Sequence, residues 1–234
     1  MKILDSLLDR IPNTGGFERA VVLDPTDGDS RVSAVLARVP PHHEFPLHMH
    51  PHSEDCFFVL SGRGEIIGLD RRFPIAAVAG VWIPAGVPHG LAAGAQGVVE
   101  IGFQSPPGPT WSRDEAGFLH SRRDGIVTAS ISDATELSRT AAEWRSVFEE
   151  RPGWQYLDPR CCWLETSQRV HAVADGCELL IVVVRGAIEL RGTAARVGAV
   201  AIIQLIGGES EELCALERDT LLFCIRTAVS QHET

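Results

Sequence analysis

Three things are missing from this chain of 234 residues. The first is basic charge: 21 Lys and Arg stand against 31 Asp and Glu, giving a formal charge of −10. Nucleic acids and anionic membrane surfaces are held by clustered Lys and Arg, so neither is expected as a partner. The acidity reads as solubility. The second is a long apolar run: the longest, Ala199 to Ile206, is broken by Gln204 and too short to span a bilayer. The start, Met1-Lys2-Ile3-Leu4-Asp5, lacks the charged segment and apolar stretch of a secretory signal. The third is any C-x-x-C pair among six cysteines at positions 56, 161, 162, 177, 214 and 224. Most lie in apolar, strand-like runs, where a thiol behaves as a small hydrophobe. A reduced, cytoplasmic chain is therefore expected, with the adjacent Cys161 and Cys162 structural rather than redox-active.

The apolar content of 44% and charged content of 22% are those of a globular protein with a well-buried core. The length suits one large domain or two of about 100 to 120 residues. Ile3, Leu4, Leu7, Leu8 and Ile11 fall on one face of a short amphipathic helix that Pro12 would end. From Ala20 to Gln104 the pattern becomes strand-like, with apolar or β-branched runs at Val32–Val39, Cys56–Leu60, Glu65–Leu69, Val81–Ile83 and Val98–Phe103. Gly and Pro punctuate them, as in an antiparallel sandwich or barrel. Ser105-Pro106-Pro107-Gly108-Pro109 closes this block, because proline cannot donate to a sheet ladder.

A linker follows. Within it Asp133 to Glu136 has the form of a capping box, and Leu137, Ala141, Trp144 and Phe148 make an apolar stripe, so a connecting helix is expected before Arg151-Pro152-Gly153. Strand candidates resume at Cys161–Glu165, Leu179–Val184, Ala187–Leu190, Val200–Ile206 and Leu221–Arg226. Laying Gly62 on Gly186 aligns Phe57–Ile66 with Ile181–Leu190: an apolar strand, a glycine turn and a second strand, twice. The chain reads as one β unit duplicated.

Five of the nine histidines fall between residues 42 and 52. On a strand, i and i+2 share a face, so His48 and His50 can offer two imidazoles to one interior point. A carboxylate shortly downstream, Glu54 or Asp55, could join them from the next strand. Imidazole with carboxylate suits Fe, Mn, Ni, Co, Cu or Zn. A second stretch, Gly80-Val-Trp-Ile-Pro84-Ala-Gly86-Val-Pro-His89, places another histidine just past a P-x-G turn.

Together these stretches resemble the paired motifs of the cupin superfamily, H-x-H-x3–4-E-x6-G followed by G-x5-P-x-G-x2-H. The resemblance covers roughly residues 30 to 105 and implies a jelly-roll barrel with His48, His50 and His89 as metal ligands inside it. It departs from the pattern in two places. Counting forward from His50 gives Glu54 as the acidic ligand, whereas counting back from Gly62 gives Asp55. Strand alternation favours Asp55, which it groups with Phe57 and Val59. Only three residues, not five, separate Gly80 from Pro84.

The remaining candidates are His42, Glu44 and Glu54 as acid–base or substrate-contacting residues. His43 and His52 read as loop histidines, and His120, His171 and His232 belong to no pattern. Phe57, Trp82 and Phe103 are core residues that could also wall a pocket. In the second half, positions equivalent to 48, 50 and 55 are Ala172, Ala174 and Leu179, and no P-x-G-x-x-H occurs, so that barrel should hold no metal.

The expectation is therefore an all-β chain of two jelly-roll barrels with a helical connector. Residues 1–110 form the metal-binding barrel with its N-terminal helix, 111–153 the linker, and 154–234 the metal-free barrel. One divalent ion, Fe(II) foremost, would serve a small-molecule substrate, and the chain is expected to form a homodimer. The resemblance includes two-barrel members that cleave enolic or phenolic substrates with dioxygen. The alternatives are a non-redox isomerase, lyase or cyclase, and a metal-dependent sensor or binding module without turnover.

Overall fold

The computed structural model describes residues 1–12, 14–24, 30–108, 118, 121, 125–131, 142–148 and 155–227. Its strands are β1 (Lys2–Leu4), β2 (Glu18–Leu23), β3 (Ser33–Val39), β4 (Glu44–His48), β5 (Glu54–Ile67), β6 (Arg72–Ala76), β7 (Ala79–Ile83), β8 (His89–Ser105) and β9 (Val127–Ser130). They continue as β10 (Arg145–Ser146), β11 (Leu157–Leu164), β12 (Arg169–Val173), β13 (Glu178–Arg185), β14 (Ile188–Leu190), β15 (Ala195–Val197), β16 (Ala201–Ile206), β17 (Ser210–Ala215) and β18 (Thr220–Thr227). The chain divides into two compact units, one of Asp9–Ile131 with Phe148–Gln155, the other of Met1–Leu8, Ser132–Val147 and Tyr156–Thr234. Among the described residues no helix is long and apolar enough to cross a membrane.

The first unit is built on the long strands β5 and β8. The first half of β5 pairs with β7 and its second half with β6. Likewise β8 begins against β4 and ends against β3. Register shifts between Val59 and Ser61 and between Gly62 and Gly64 bend β5 where it changes partner. Gly62 sits at this bend with φ +87°, and a Cβ there would lie 2.0 Å from the Gly97 carbonyl oxygen, so only glycine fits. Val39, Phe57, Val59, Ile66, Ile75, Val81, Ile83, Leu91 and Val98 fill the interior. Each large apolar side chain so buried contributes about 1.5–3 kcal/mol.

The second unit repeats the plan. The strand order β2-β3-β8-β5-β7-β9 in the first is matched by β10-β11-β18-β13-β16-β1 in the second. The small sheet β12-β17-β14-β15 matches β4, the start of β8, the end of β5, and β6. Gly186, with φ +78°, takes the place of Gly62. Its interior is a closed apolar cluster that includes Ala172, Ala174, Leu179, Ile181, Val183, Leu222 and Cys224. All six cysteines are free thiols. Burial pushes Cys161 and Cys162 up to about 12, which keeps both protonated and unreactive.

Two helical expectations need correction. The N-terminal segment is strand β1 followed by a 3-10 turn, Leu7–Arg10, because Lys2, Ile3 and Leu4 pair with Gln204, Ile203 and Ile202 on β16. A free sheet edge outcompetes a short amphipathic helix, whose nucleation is costly. Leu4, Leu7 and Ile11 are buried as the pattern required, while Ile3 and Leu8 are exposed. Of the segment expected to form the connecting helix, Ile131 just before it is helical and the described residues 142–148 are not. The proposed capping box and Leu137 and Ala141 lie outside them, but Arg145–Ser146 is a strand paired with Arg160 and Cys161. The Trp144 ring N–H donates to the His171 carbonyl at 2.8 Å.

Candidate metal centre

The three histidines reach one place from two elements. His48 ends β4, His50 follows it, and His89 opens β8 directly opposite His48 in the ladder. The turn that delivers His89 is tied to the first motif, since the Gly86 N–H donates to the His50 carbonyl at 2.9 Å. Gly86 has φ +75°, which accounts for the glycine of the P-x-G sequence. One ligand atom from each of His48, His50 and His89 lies within 4.8 Å of the other two. His48 and His89 are buried and their rings are 4.3 Å apart between centroids.

Hydrogen bonds fix which nitrogens point inward. His48 Nδ1 lies 3.0 Å from the Pro46 carbonyl and His89 Nδ1 lies 2.9 Å from that of Val87. A carbonyl only accepts, so both Nδ1 atoms carry protons and donate, leaving each Nε2 lone pair directed at the centre. His50 is held through Nδ1 by the side-chain amide of Gln104, 2.5 Å away. Burial, then the neighbouring His89, lowers the His48 pKa to about 3, so its imidazole is neutral and ready to donate electrons.

Asp55 completes the group. Its Oδ2 is 3.3 Å from His50 Nε2 and 3.1 Å from His89 Nε2. Burial works against its ionisation, but His50, then His89 and His48, outweigh it and hold the carboxyl below the usual carboxylate range. His89 already donates from Nδ1. Its Nε2, like that of His50, lies where a cation would be shared with the Asp55 carboxylate. Neutral, pre-oriented imidazoles around one ionised acid are a donor set that fits a divalent metal.

The other candidates lie elsewhere. Glu54 is buried on the opposite face of β5, where its Oε1 accepts the Gln155 backbone N–H at 2.5 Å. Glu44 pairs with Ala92, whereas its neighbour Phe45 pairs with Leu91 and packs into the interior, so Glu44 faces out. It bonds Arg72 at 3.1 Å, and Arg72 also bonds Glu65 at 3.2 Å. Exposed His42 and Glu44 line a separate cavity of about 900 Å³ that none of the three histidines borders. His52 is exposed, His171 lies 3.2 Å from Glu212 on the second unit, and His120 and His232 fall outside the described residues. Of the three aromatics, Phe57 shares the Asp55 face, while Trp82 and Phe103 pair with Cys56 and are fully buried on the other.

Sequence reasoning missed two residues. Along β8, Gln104, Gly102 and Glu100 pair with Asp55, Phe57 and Val59, which sets all three on the interior face. Glu100 Oε2 is buried without a hydrogen-bond partner among the described residues. Burial, then the nearby charge of Asp55, raises the Glu100 pKa to about 7, with His89 opposing. The available signal was the alternation Val99-Glu100-Ile101-Gly102-Phe103-Gln104, but its polar face is ordinarily read as solvent-facing.

The family profile described as cupin domain matches residues 35–101, the stretch that carries β3 through most of β8 and all three histidines. Residues 35–101 carry a cupin domain. Solved structures extend the likeness over both units. Procruciferin, an 11S globulin from Brassica napus, is 10% identical with TM-score 0.71, covering 97% of this chain and 84% of that chain. A salicylate 1,2-dioxygenase variant from Pseudoaminobacter salicylatoxidans, in complex with gentisate, is 13% identical with TM-score 0.67, covering 96% and 81%. The bacterial pirin YhhW from Escherichia coli, in complex with nickel(II), is 15% identical with TM-score 0.65, covering 96% and 97%. No curated protein matches the sequence. At these identities the likeness is one of fold, and a fold shared by a globulin, a dioxygenase and a pirin does not select a function.

Proposed function

We propose that this cupin is a metal-dependent enzyme acting on a small oxygen-rich organic molecule, and that it is a dioxygenase holding one Fe(II) on His48, His50, His89 and Asp55. The observation that carries the reading is tautomeric. Backbone carbonyls fix the Nδ1 protons of His48 and His89, so both rings turn Nε2 towards a point that His50 and an ionised carboxylate share. Ferrous iron there would supply Lewis acidity towards a chelating enolate or phenolate and redox access to dioxygen.

The chain's own residues do the rest. Phe57, Val81, Ile83 and Leu91 wall the centre with hydrocarbon and keep bulk water from it. Phe45 stands edge-on to His48, with ring centroids 4.8 Å apart, and stacks on exposed Phe17 at 4.7 Å. These rings offer an apolar approach to the centre for a flat substrate. Glu100 supports a second reading, a non-redox isomerase or lyase, because a buried carboxyl facing the centre is equipped for proton transfer.

The two readings separate on purified protein by elemental analysis and by oxygen-electrode assays with enolic and phenolic substrates. Bound iron with substrate-dependent oxygen consumption is expected. Zinc-loaded protein that turns substrate over fully without oxygen would leave only the isomerase or lyase.

A further inference from the structure

Glu100 is a carboxylate at which the interior polar group ends. Its register partners are Val59 on β5 and Ala37 on β3, both buried. The titratable groups that act on it are Asp55 from β5 and His89 from the start of β8. From β3 it meets Ala37 between Val35 and Val39, which carry no charge. An unpartnered buried oxygen in such surroundings is costly to keep ionised and gains by taking up a proton. A metal centre that binds a hydroxylated chelator has a proton to dispose of, because the ligand coordinates as its oxyanion.

We propose that Glu100 takes the hydroxyl proton of an enolic, phenolic or catecholic ligand as that ligand binds at the triad. The ligand O–H bond breaks and leaves its electron pair on the ligand oxygen. The proton forms a new O–H bond on the Glu100 carboxylate, which becomes the neutral carboxyl its surroundings favour. The pair exchanges one proton and no net charge enters or leaves the chamber. A poised position near neutral pH, where Glu100 gives up and regains its proton, agrees with this role. The proposal rests on the metal-dependent reading above and narrows its substrates to chelators that arrive carrying an acidic hydroxyl.

The test counts protons. Zinc-loaded wild type and E100Q are titrated calorimetrically with catechol at pH 8 in buffers of different ionisation enthalpy, after zinc content has been measured in each. E100Q should release about one more proton to the buffer per catechol bound than wild type, because glutamine cannot accept it. Oxalate is fully ionised at this pH and brings no proton, so E100Q should bind it at least as tightly as wild type. Loss of catechol binding in E100Q with oxalate binding intact also supports the proposal. Equal proton counts, or equal loss of both ligands, would overturn it. A wild type that takes up no zinc sinks the metal-dependent reading and the proposal with it, whereas zinc bound with unchanged proton counts sinks the proposal alone.

Discussion

The two barrels of this chain share a strand order and differ in what they enclose. In the first, the interior positions of β5 and β8 carry Asp55 opposite Gln104 and Val59 opposite Glu100. In the second, the matching pairs on β13 and β18 are Leu179 opposite Arg226 and Val183 opposite Leu222. His48 and His50 give way to Ala172 and Ala174, both in a closed apolar core. Where His89 opens β8, the second barrel has Glu211, which accepts the Gly192 N–H at 2.7 Å. One barrel thus gathers histidines and carboxylates around a centre, and the other fills most of the same space with hydrocarbon, keeping only Glu211 and Arg226 as ionisable groups among these matched positions. The difference teaches that the fold tolerates either interior. The polar one costs stability, since buried charges need partners, and a bound metal would provide them.

The largest effect should come from making the first barrel resemble the second. His48→Ala, His50→Ala and His89→Ala together should abolish metal uptake while leaving the circular dichroism of a folded β protein. Elemental analysis checks the first outcome and a thermal melt the second. Metal retained by the triple variant would end the comparison.

Next in size is the glycine bend common to both barrels. Gly62→Ala drives a Cβ into a backbone oxygen 2.0 Å away, whereas the nearest atom at Gly186 is the Thr220 hydroxyl oxygen at 2.4 Å. A side chain can move aside and a paired backbone cannot. Gly62→Ala should therefore cost about 4 kcal/mol, and Gly186→Ala about 2 kcal/mol, as read by urea unfolding. Equal costs would show that the kind of atom each Cβ meets does not decide the penalty.

These features were open to sequence reasoning in unequal measure. His48, His50 and His89 stood out because their spacing combines a strand repeat with a proline turn, both local. The Gly62–Gly186 alignment was local too, and it placed Ala172, Ala174 and Leu179 at the positions the second core occupies. Strand β1 was hidden because its partner, β16, lies some two hundred residues away along the chain, as Lys2 opposite Gln204 shows. The pairing of Arg145 with Cys161 likewise overrode a helical stripe that included Trp144. Glu100 and Gln104 were hidden for the opposite reason. Period two revealed their face, but nothing in it says whether a polar face looks at water or at a metal chamber.

Glu100 gives a third, pH-dependent contrast. In the folded metal-free protein its proton is held up to about pH 7, against an ordinary value of 4.5. Below the ordinary value both folded and unfolded chains are protonated, and Glu100 adds no pH dependence. As pH rises through this interval the unfolded chain ionises first, so the folded state loses about 3 kcal/mol and stays lower above it. In chelator-treated protein, E100Q should match wild type near pH 4.5 and exceed it by that amount at pH 8. A nearby divalent cation favours the carboxylate, so loading zinc should shrink the difference. Parallel stability curves for the two proteins would show that the chamber is wetter than its walls imply.

The smallest effect concerns Gln104, whose counterpart by register in the second barrel is Arg226. For His50 to offer Nε2 to a metal, its Nδ1 must carry the proton, and an acceptor must face it. The Gln104 amide meets the ring through its nitrogen at 2.5 Å, and half a turn of the amide presents its oxygen as that acceptor. An arginine offers donors only and could not. Gln104→Met should weaken metal binding by about 10- to 100-fold, measured by competition with a calibrated chelator. Gln104→Glu keeps an acceptor and adds negative charge, so it should bind metal more tightly than wild type. Should the methionine variant bind as tightly as wild type, the His50 proton would be set by the Asp55 side of the ring, and the amide would be packing alone. The glutamate variant decides between these accounts, because its added negative charge strengthens binding only if Nδ1 is the donor.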